Sequence, residues 1–282
     1  MRALIELGRL FSTHPLTHNA PLKAWARFVK WQIRSRLQEE VVVPWIAGQC
    51  FAVRKGMTGA TGNIYVGLHE FPDMMLLLHF LREGDLFLDI GANVGSYTIL
   101  AAGACRAKTW SFEPDPDTAR HLKRNVALND LDGLVMTYEL ALGEAERKIS
   151  FTTGLDTMNR VATAGDKNIR TVCQQRLDAL IGEYQPVMIK MDVEGREEAV
   201  LRGAQALLAN KCLKVIELET VTPVTDATLT AHAFERAFYE PFSRKLQREA
   251  NFSSNAVFVR DWEFVRSRLT TANRVKVLGY SV

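Results

Sequence analysis

The chain has 282 residues, 47% hydrophobic and 24% charged, with a net charge of +3 at pH 7. Such a chain can build one large core, and so mild a charge requires neither a nucleic acid nor an anionic surface, so no nucleic acid partner is expected. Cys50, Cys105, Cys173 and Cys212 stand far apart with no CxxC pair, which indicates neither a zinc site nor a disulfide framework and makes a reducing cytoplasm the simplest location.

Up to about Gly56, Pro15, Pro21 and Pro44 punctuate a helix-like segment, residues 22–37. Its Trp25, Phe28, Val29 and Ile33 form an apolar stripe beside a basic face. Rings as large as Trp25, Phe28 and Trp31 call for cover, so the helix is expected to pack on the main domain or on a second subunit, the latter making a homo-oligomer. A helix on a membrane surface or an acidic partner is the alternative. Residues 1–56 are therefore expected to form a helical N-terminal extension, and 57–282 the main domain. The apolar run near Met74 falls far short of a membrane span, so no integral membrane association is expected.

Strand and helix then alternate as in a parallel sheet. A helix over residues 73–81 leads to a strand at 86–90, LFLDI, which runs into Gly91, Ala92, Asn93, Val94 and Gly95 and then an apolar helix. Gly91 and Gly95 permit a sharp turn and close approach to a ligand, and the helix start offers free N–H groups. A dinucleotide fingerprint needs glycines at relative positions one, three and six. Here those positions hold Gly91, Asn93 and Ser96, which argues against a pyrophosphate. A cofactor whose ammonium group needs an acceptor fits better, with Asp89 as that acceptor, and S-adenosylmethionine answers this description. A second strand ends in Glu113, placed to accept hydrogen bonds from two ribose hydroxyls; Asp115 and Asp117 complement the dipole of the following helix, residues 115–128.

Further on, the pattern predicts a third strand over 134–142, a hairpin excursion at 148–153, a fourth strand at 187–192, a helix at 197–208 and a fifth strand at 213–219. A helix over 228–239 and a final antiparallel pair, 245–247 with 256–260, complete the reading. Ligands bind outside the carboxyl ends of parallel strands. The fourth strand ends in Lys190, Met191, Asp192, Val193 and Glu194, where alternation puts Lys190, Asp192 and Glu194 on one side. One cation and two carboxylates there can deprotonate a hydroxyl, orient it or hold a divalent metal, while a purely structural ion pair with a helix cap is the plainer alternative. His69 and Glu70, ahead of the first strand, are further candidates beside the substrate, although a surface or packing role is the simpler expectation.

DIGANVG (89–95), FEP (112–114), NVALND (125–130), KMDVEG (190–195), VLRGAQALL (200–208) and IELE (216–219) occur in this order. Together the set resembles the FkbM-type methyltransferases, over about residues 71–219. The resemblance implies a class I Rossmann-like fold: an α/β sheet, mostly parallel with a late antiparallel strand, and helices on both faces. It also implies a methyltransferase domain over 57–282, using S-adenosylmethionine to methylate a hydroxyl of a sugar, polysaccharide precursor or natural product. It assigns cofactor binding to Asp89, Gly91, Asn93, Gly95 and Glu113, and a reaction-centre role to Asp192, with Lys190 and Glu194 beside it. A small-molecule or carbohydrate acceptor is the expected partner. An N-methyltransferase of nucleic acid or protein is disfavoured, because Asp192, Val193, Glu194 and Gly195 stand where an Asn/Asp-Pro-Pro-aromatic tetrad would be. A non-catalytic binding module has no need of intact Asp89, Gly91, Gly95 and Glu113.

Overall fold

A computed structural model describes residues 2–154, 159–163, 165–248 and 255–282. Two helices, α1 (Arg2–Thr13) and α2 (Pro21–Leu37), precede a hairpin of β1 (Val41–Pro44) and β2 (Cys50–Val53). After α3 (Thr58–Val66) and α4 (Phe71–Phe80), the alternating body begins with β3 (Leu86–Ile90), α5 (Ser96–Ile99), β4 (Lys108–Phe112), α6 (Pro116–Leu128) and β5 (Val135–Tyr138). Asp115 caps α6 by accepting from Asp117 N and Thr118 N, as its side-chain chemistry favours.

The expected third strand is two pieces. Beyond β5, β6 (Ala141–Leu142) leaves the main sheet and joins β7 (Arg147–Thr152) and β8 (Ile169–Gln175) in a three-stranded sheet of its own. Next come α7 (Leu177–Ile181), β9 (Met188–Met191), α8 (Glu197–Arg202), α9 (Gln205–Ala209) and β10 (Val215–Leu218). The single helix expected over 197–208 is broken at Gly203, where a Cβ would lie 2.1 Å from the Gly143 carbonyl oxygen. Asp178 then caps the second piece through Ala206 N and Leu207 N.

The C-terminal part corrects two expectations. Residues 228–239 are not one helix: α10 (Pro223–Ala231) stops and β11 (Glu235–Glu240) follows. The stretches at 245–247 and 256–260 do hold strands, β12 (Lys245–Arg248) and β13 (Ala256–Val259), but these do not pair with each other. β12 pairs with β11, and β13 inserts between β10 and β11, antiparallel to both. Helix α11 (Trp262–Thr271) follows. The main sheet runs β12-β11-β13-β10-β9-β3-β4-β5, with β5, β4, β3, β9 and β10 parallel.

Helices cover both faces of this sheet. Alternation sends Phe87, Met188 and Val215 to one side, under α4 and α11, and Leu88, Ile189 and Ile216 to the other, under α8 and α9. A third cluster joins Phe11, Trp31 and Phe51 to Ile99, Leu122 and Val126, so the N-terminal segments pack against the helices that follow β3 and β4. Trp25 and Phe28 meet Phe11 and Tyr65 edge to face. Val29 and Ile33, by contrast, are exposed rather than covered.

Candidate active site

At the carboxyl ends of β3, β4 and β9 lies a cavity of about 540 Å³, a size suited to a cofactor with part of a substrate. Asp89, Gly91, Asn93 and Glu113 line it on one side, and Lys190, Asp192, Glu194 and Glu219 on the other.

The turn after β3 is built from left-handed backbone: Gly91 has φ +79°, Asn93 +50° and Gly95 +95°. Gly91 N and Ala92 N both donate to the Phe112 carbonyl, tying the turn to the end of β4. Gly95 ends the turn as the residue before α5, where a Cβ would press on Leu122. Glu113 receives Asn93 N on one oxygen (3.0 Å) and Asp115 N on the other (2.8 Å). Burial pushes its carboxyl up to about 8, despite these two donors. Asp89, also buried, accepts from Thr98 Oγ1 at 2.6 Å, and burial raises it to about 6.

Asp89, Lys190 and Glu217 occupy facing positions on β3, β9 and β10, a row of three charged side chains across three otherwise apolar strands. Lys190 Nζ reaches Asp192 Oδ2 at 2.8 Å and lies over the Tyr97 ring. Burial alone would lower the Lys190 ammonium, but Asp192, Glu70, Glu217 and Asp89 outweigh it and hold it above the usual lysine range. Burial would likewise raise Asp192, and Lys190 reverses this, keeping the carboxyl below its ordinary value. Glu217 accepts from Tyr97 Oη at 2.9 Å and from Asn255 Nδ2 at 3.3 Å, and burial brings it to about 7. Asn255 also reaches Glu70.

The strand ends at Met191, so Glu194 is brought to Asp192 by a turn, at φ +51°, rather than by strand alternation. Oxygens of Asp192, Glu194 and Glu219 all lie within 4.8 Å of one another. Burial and the neighbouring Asp192 raise Glu219 to about 8; burial, then Asp192, also raises Glu194. Glu194 caps no helix: α8 starts after Arg196, without a side-chain cap. His69 and Glu70 also line the cavity, Glu70 on the Lys190 side, where it shares Asn255 with Glu217.

Of the residues the sequence points to, Asp89, Gly91, Asn93, Glu113, Lys190, Asp192 and Glu194 border one cavity, while Gly95 does not line it. Tyr97 is not singled out by the sequence, and Glu217 and Glu219 stand in it only as part of the IELE run, with no role of their own. A detectable signal existed: LFLDI, MIKM and VIEL each carry one charge at the same step of an apolar strand, and a charge in such a place is rarely buried without partners.

A parallel sheet of this order, closed by an antiparallel strand and carrying a glycine turn after one strand and an acid after the next, defines the class I methyltransferase architecture. The family model for the methyltransferase FkbM domain matches residues 89–252, more than half of the chain. The chain belongs to the FkbM methyltransferase family. A curated relative, hexuronic acid methyltransferase AglP of Haloferax volcanii, is 29% identical over 156 residues, covering 54% of this chain; the chain spans 64% of that relative's length. Among solved structures, precorrin-6y C5,15-methyltransferase of Geobacter metallireducens is similar at 16% identity and a TM-score of 0.40, over 74% of this chain and 92% of that one. TYW2 of M. jannaschii in complex with AdoMet is similar at 18% and 0.42, over 79% and 87%.

Proposed function

We propose that this protein transfers a methyl group from S-adenosylmethionine to a hydroxyl of a carbohydrate acceptor. The observation that carries this reading is the pair of carboxyls at the cavity mouth. Asp192 is held low by Lys190, and Glu219 is raised to about 8 beside it. Two acids pushed apart in this way divide the tasks of base and proton store. The name of the Haloferax volcanii relative, a hexuronic acid methyltransferase, supports a sugar acceptor.

In this reading Asp89 accepts from the cofactor's ammonium, and Glu113 from its ribose hydroxyls. Each buried carboxylate thereby gains donors that offset its loss of water. Gly91, Asn93 and Gly95 shape the turn between them. When bound, the cofactor supplies a sulfonium methyl whose leaving group needs no acid. The Asp192–Glu219 pair orients the acceptor hydroxyl and takes its proton as the oxygen attacks, with Glu194 adding negative charge and Lys190 keeping Asp192 ionised. Asp192, Glu194 and Glu219 are hard oxygen donors close enough to hold a divalent cation, whose charge would favour the alkoxide form of the acceptor.

Calorimetric titration with S-adenosylmethionine tests the cofactor half. The wild type is expected to bind, and Glu113→Ala to bind about 10- to 100-fold more weakly, the loss of charge-assisted hydrogen bonds; equal affinities would remove Glu113 from the ribose site. The acceptor half is read by S-adenosylhomocysteine release with a panel of neutral sugars and uronic acids, with and without EDTA. Turnover of the accepted sugar should fall by about 10²- to 10⁴-fold in Asp192→Asn, and full activity of that variant would refute its role.

A further inference from the structure

On α2, Leu22, Ala26, Val29, Ile33 and Leu37 recur at the spacing of one helical turn, and all five are exposed. Leu22 is 80%, Val29 50%, Ile33 56% and Leu37 79% accessible, and Leu4 and Ile5 of α1 are exposed as well. The helix has already spent another face on the core, through Ala24, Trp31 and Ser35. Its apolar stripe is therefore a second face with no cover, about 25 Å long. Isolated exposed leucines need no explanation, but a stripe of this length does.

The charge beside it is one-sided. Residues 2–37 contain Arg2, Arg9, Lys23, Arg27, Lys30, Arg34 and Arg36 against the single acid Glu6, a net +6; the rest of a chain whose total is +3 thus carries −3. Among the described residues, no carboxylate lies within 4 Å of Lys23, Lys30, Arg34 or Arg36. Lys30 and Arg34 also line a neighbouring cavity of about 290 Å³ with Arg27 and Lys276, and no acid lines that cavity.

We infer that α2 lies on an anionic lipid surface, its stripe entering the headgroup boundary and its flanking cations meeting lipid phosphates. An apolar stripe bordered by unpaired cations is the pattern of an interfacial helix. A second copy of the chain fits this face poorly, since along the helix a two-fold contact would set cations against cations, while the nearest acids, Glu39 and Glu40, lie past its end and pair with Arg54 and Arg124. The inference does not depend on the acceptor proposed above.

The test is cosedimentation of the full chain with phosphatidylcholine vesicles, with and without phosphatidylglycerol. Binding is expected to the anionic vesicles only, and to weaken as salt rises. Lys23→Gln with Lys30→Gln should reduce partitioning by about 30-fold, from about 1 kcal/mol for each cation. Val29→Ser with Ile33→Ser should also release the protein, while both pairs keep the wild-type melting temperature because these side chains face solvent. Absence of binding to anionic vesicles, or equal binding by either variant, would overturn the inference. So would a dimer, seen by light scattering, that Ile33→Ser dissociates.

Discussion

A Cβ placed on Gly91 would stand 1.8 Å from the carbonyl oxygen of Asp192. In the sequence this glycine reads as room for a ligand; in the fold it is also room for the backbone leaving β9, so one residue sets the spacing between the two halves of the site. Gly91→Ala should destabilise the protein by more than about 2 kcal/mol, combining strain at positive φ with a backbone clash. Gly195→Ala is the control, since Gly195 has φ +82° but open space around its Cβ position, and should cost about 1–2 kcal/mol for conformation alone. Urea unfolding of the two variants measures the difference, and equal losses would show that the clash relaxes at no cost. The acids at Asp89 and Glu113 were legible because strand ends and glycine spacing are local. Glu219 was less so, because its proximity to Asp192 comes from the pairing of β10 with β9.

Among the elements, α6 is fixed by side chains rather than by its apolar face alone. Asn125, fully buried, accepts from Ala52 N at 2.8 Å and donates to the Val94 carbonyl at 2.9 Å, so it ties the helix to the β1–β2 hairpin and to the glycine turn. Asn129 does the same for Cys50, through both its N–H and its carbonyl. These are the two asparagines of NVALND, and their spacing of four residues puts them on one side of the helix. Asn125→Leu leaves a buried donor and a buried acceptor unpaired and should cost about 2–4 kcal/mol. The turn should loosen as well, so calorimetry on the variant is expected to show weaker S-adenosylmethionine binding; unchanged stability would mean that water replaces both bonds. The alternating strands were readable for a similar local reason, each being a short apolar run with a turn after it. Strand β11 was not: α10 ends without a glycine or proline, and Ala233 takes the left-handed turn at φ +64° that a glycine usually marks. The place of β13 between β10 and β11 is a long-range choice that no local pattern carries.

For the whole molecule, buried titratable groups set how stability follows pH. Burial lowers His14 and His79 to about 4, so their share of stability is present above the unfolded histidine value near 6.5 and is lost as pH falls towards 4. Asp89, Glu217 and Glu113 are raised to about 6, 7 and 8, so theirs is present below the ordinary carboxyl values and lost as pH rises through those numbers. The two sets oppose each other up to about pH 6.5, where the histidine contribution is complete. Between pH 6.5 and 8 only the loss continues. The melting temperature of the cofactor-free protein is therefore expected to fall over that interval, and Glu113→Gln should flatten the fall; a melting temperature that rises from pH 6.5 to 8 would contradict the burial of these acids.

The separation of +6 in the first 37 residues from −3 in the remainder gives the molecule a lasting electric dipole that its total charge conceals. Such a protein handles as two ions at once. At low salt it should be retained by sulfonate resin through the N-terminal helices and also slowed on quaternary-amine resin through the rest, although its net charge is small. In an ionic-strength gradient it should leave the sulfonate column later than an evenly charged protein of the same net charge. In free solution it should turn its N-terminal helices towards a negative surface before contact, over a distance of about 10 Å at 0.1 M salt.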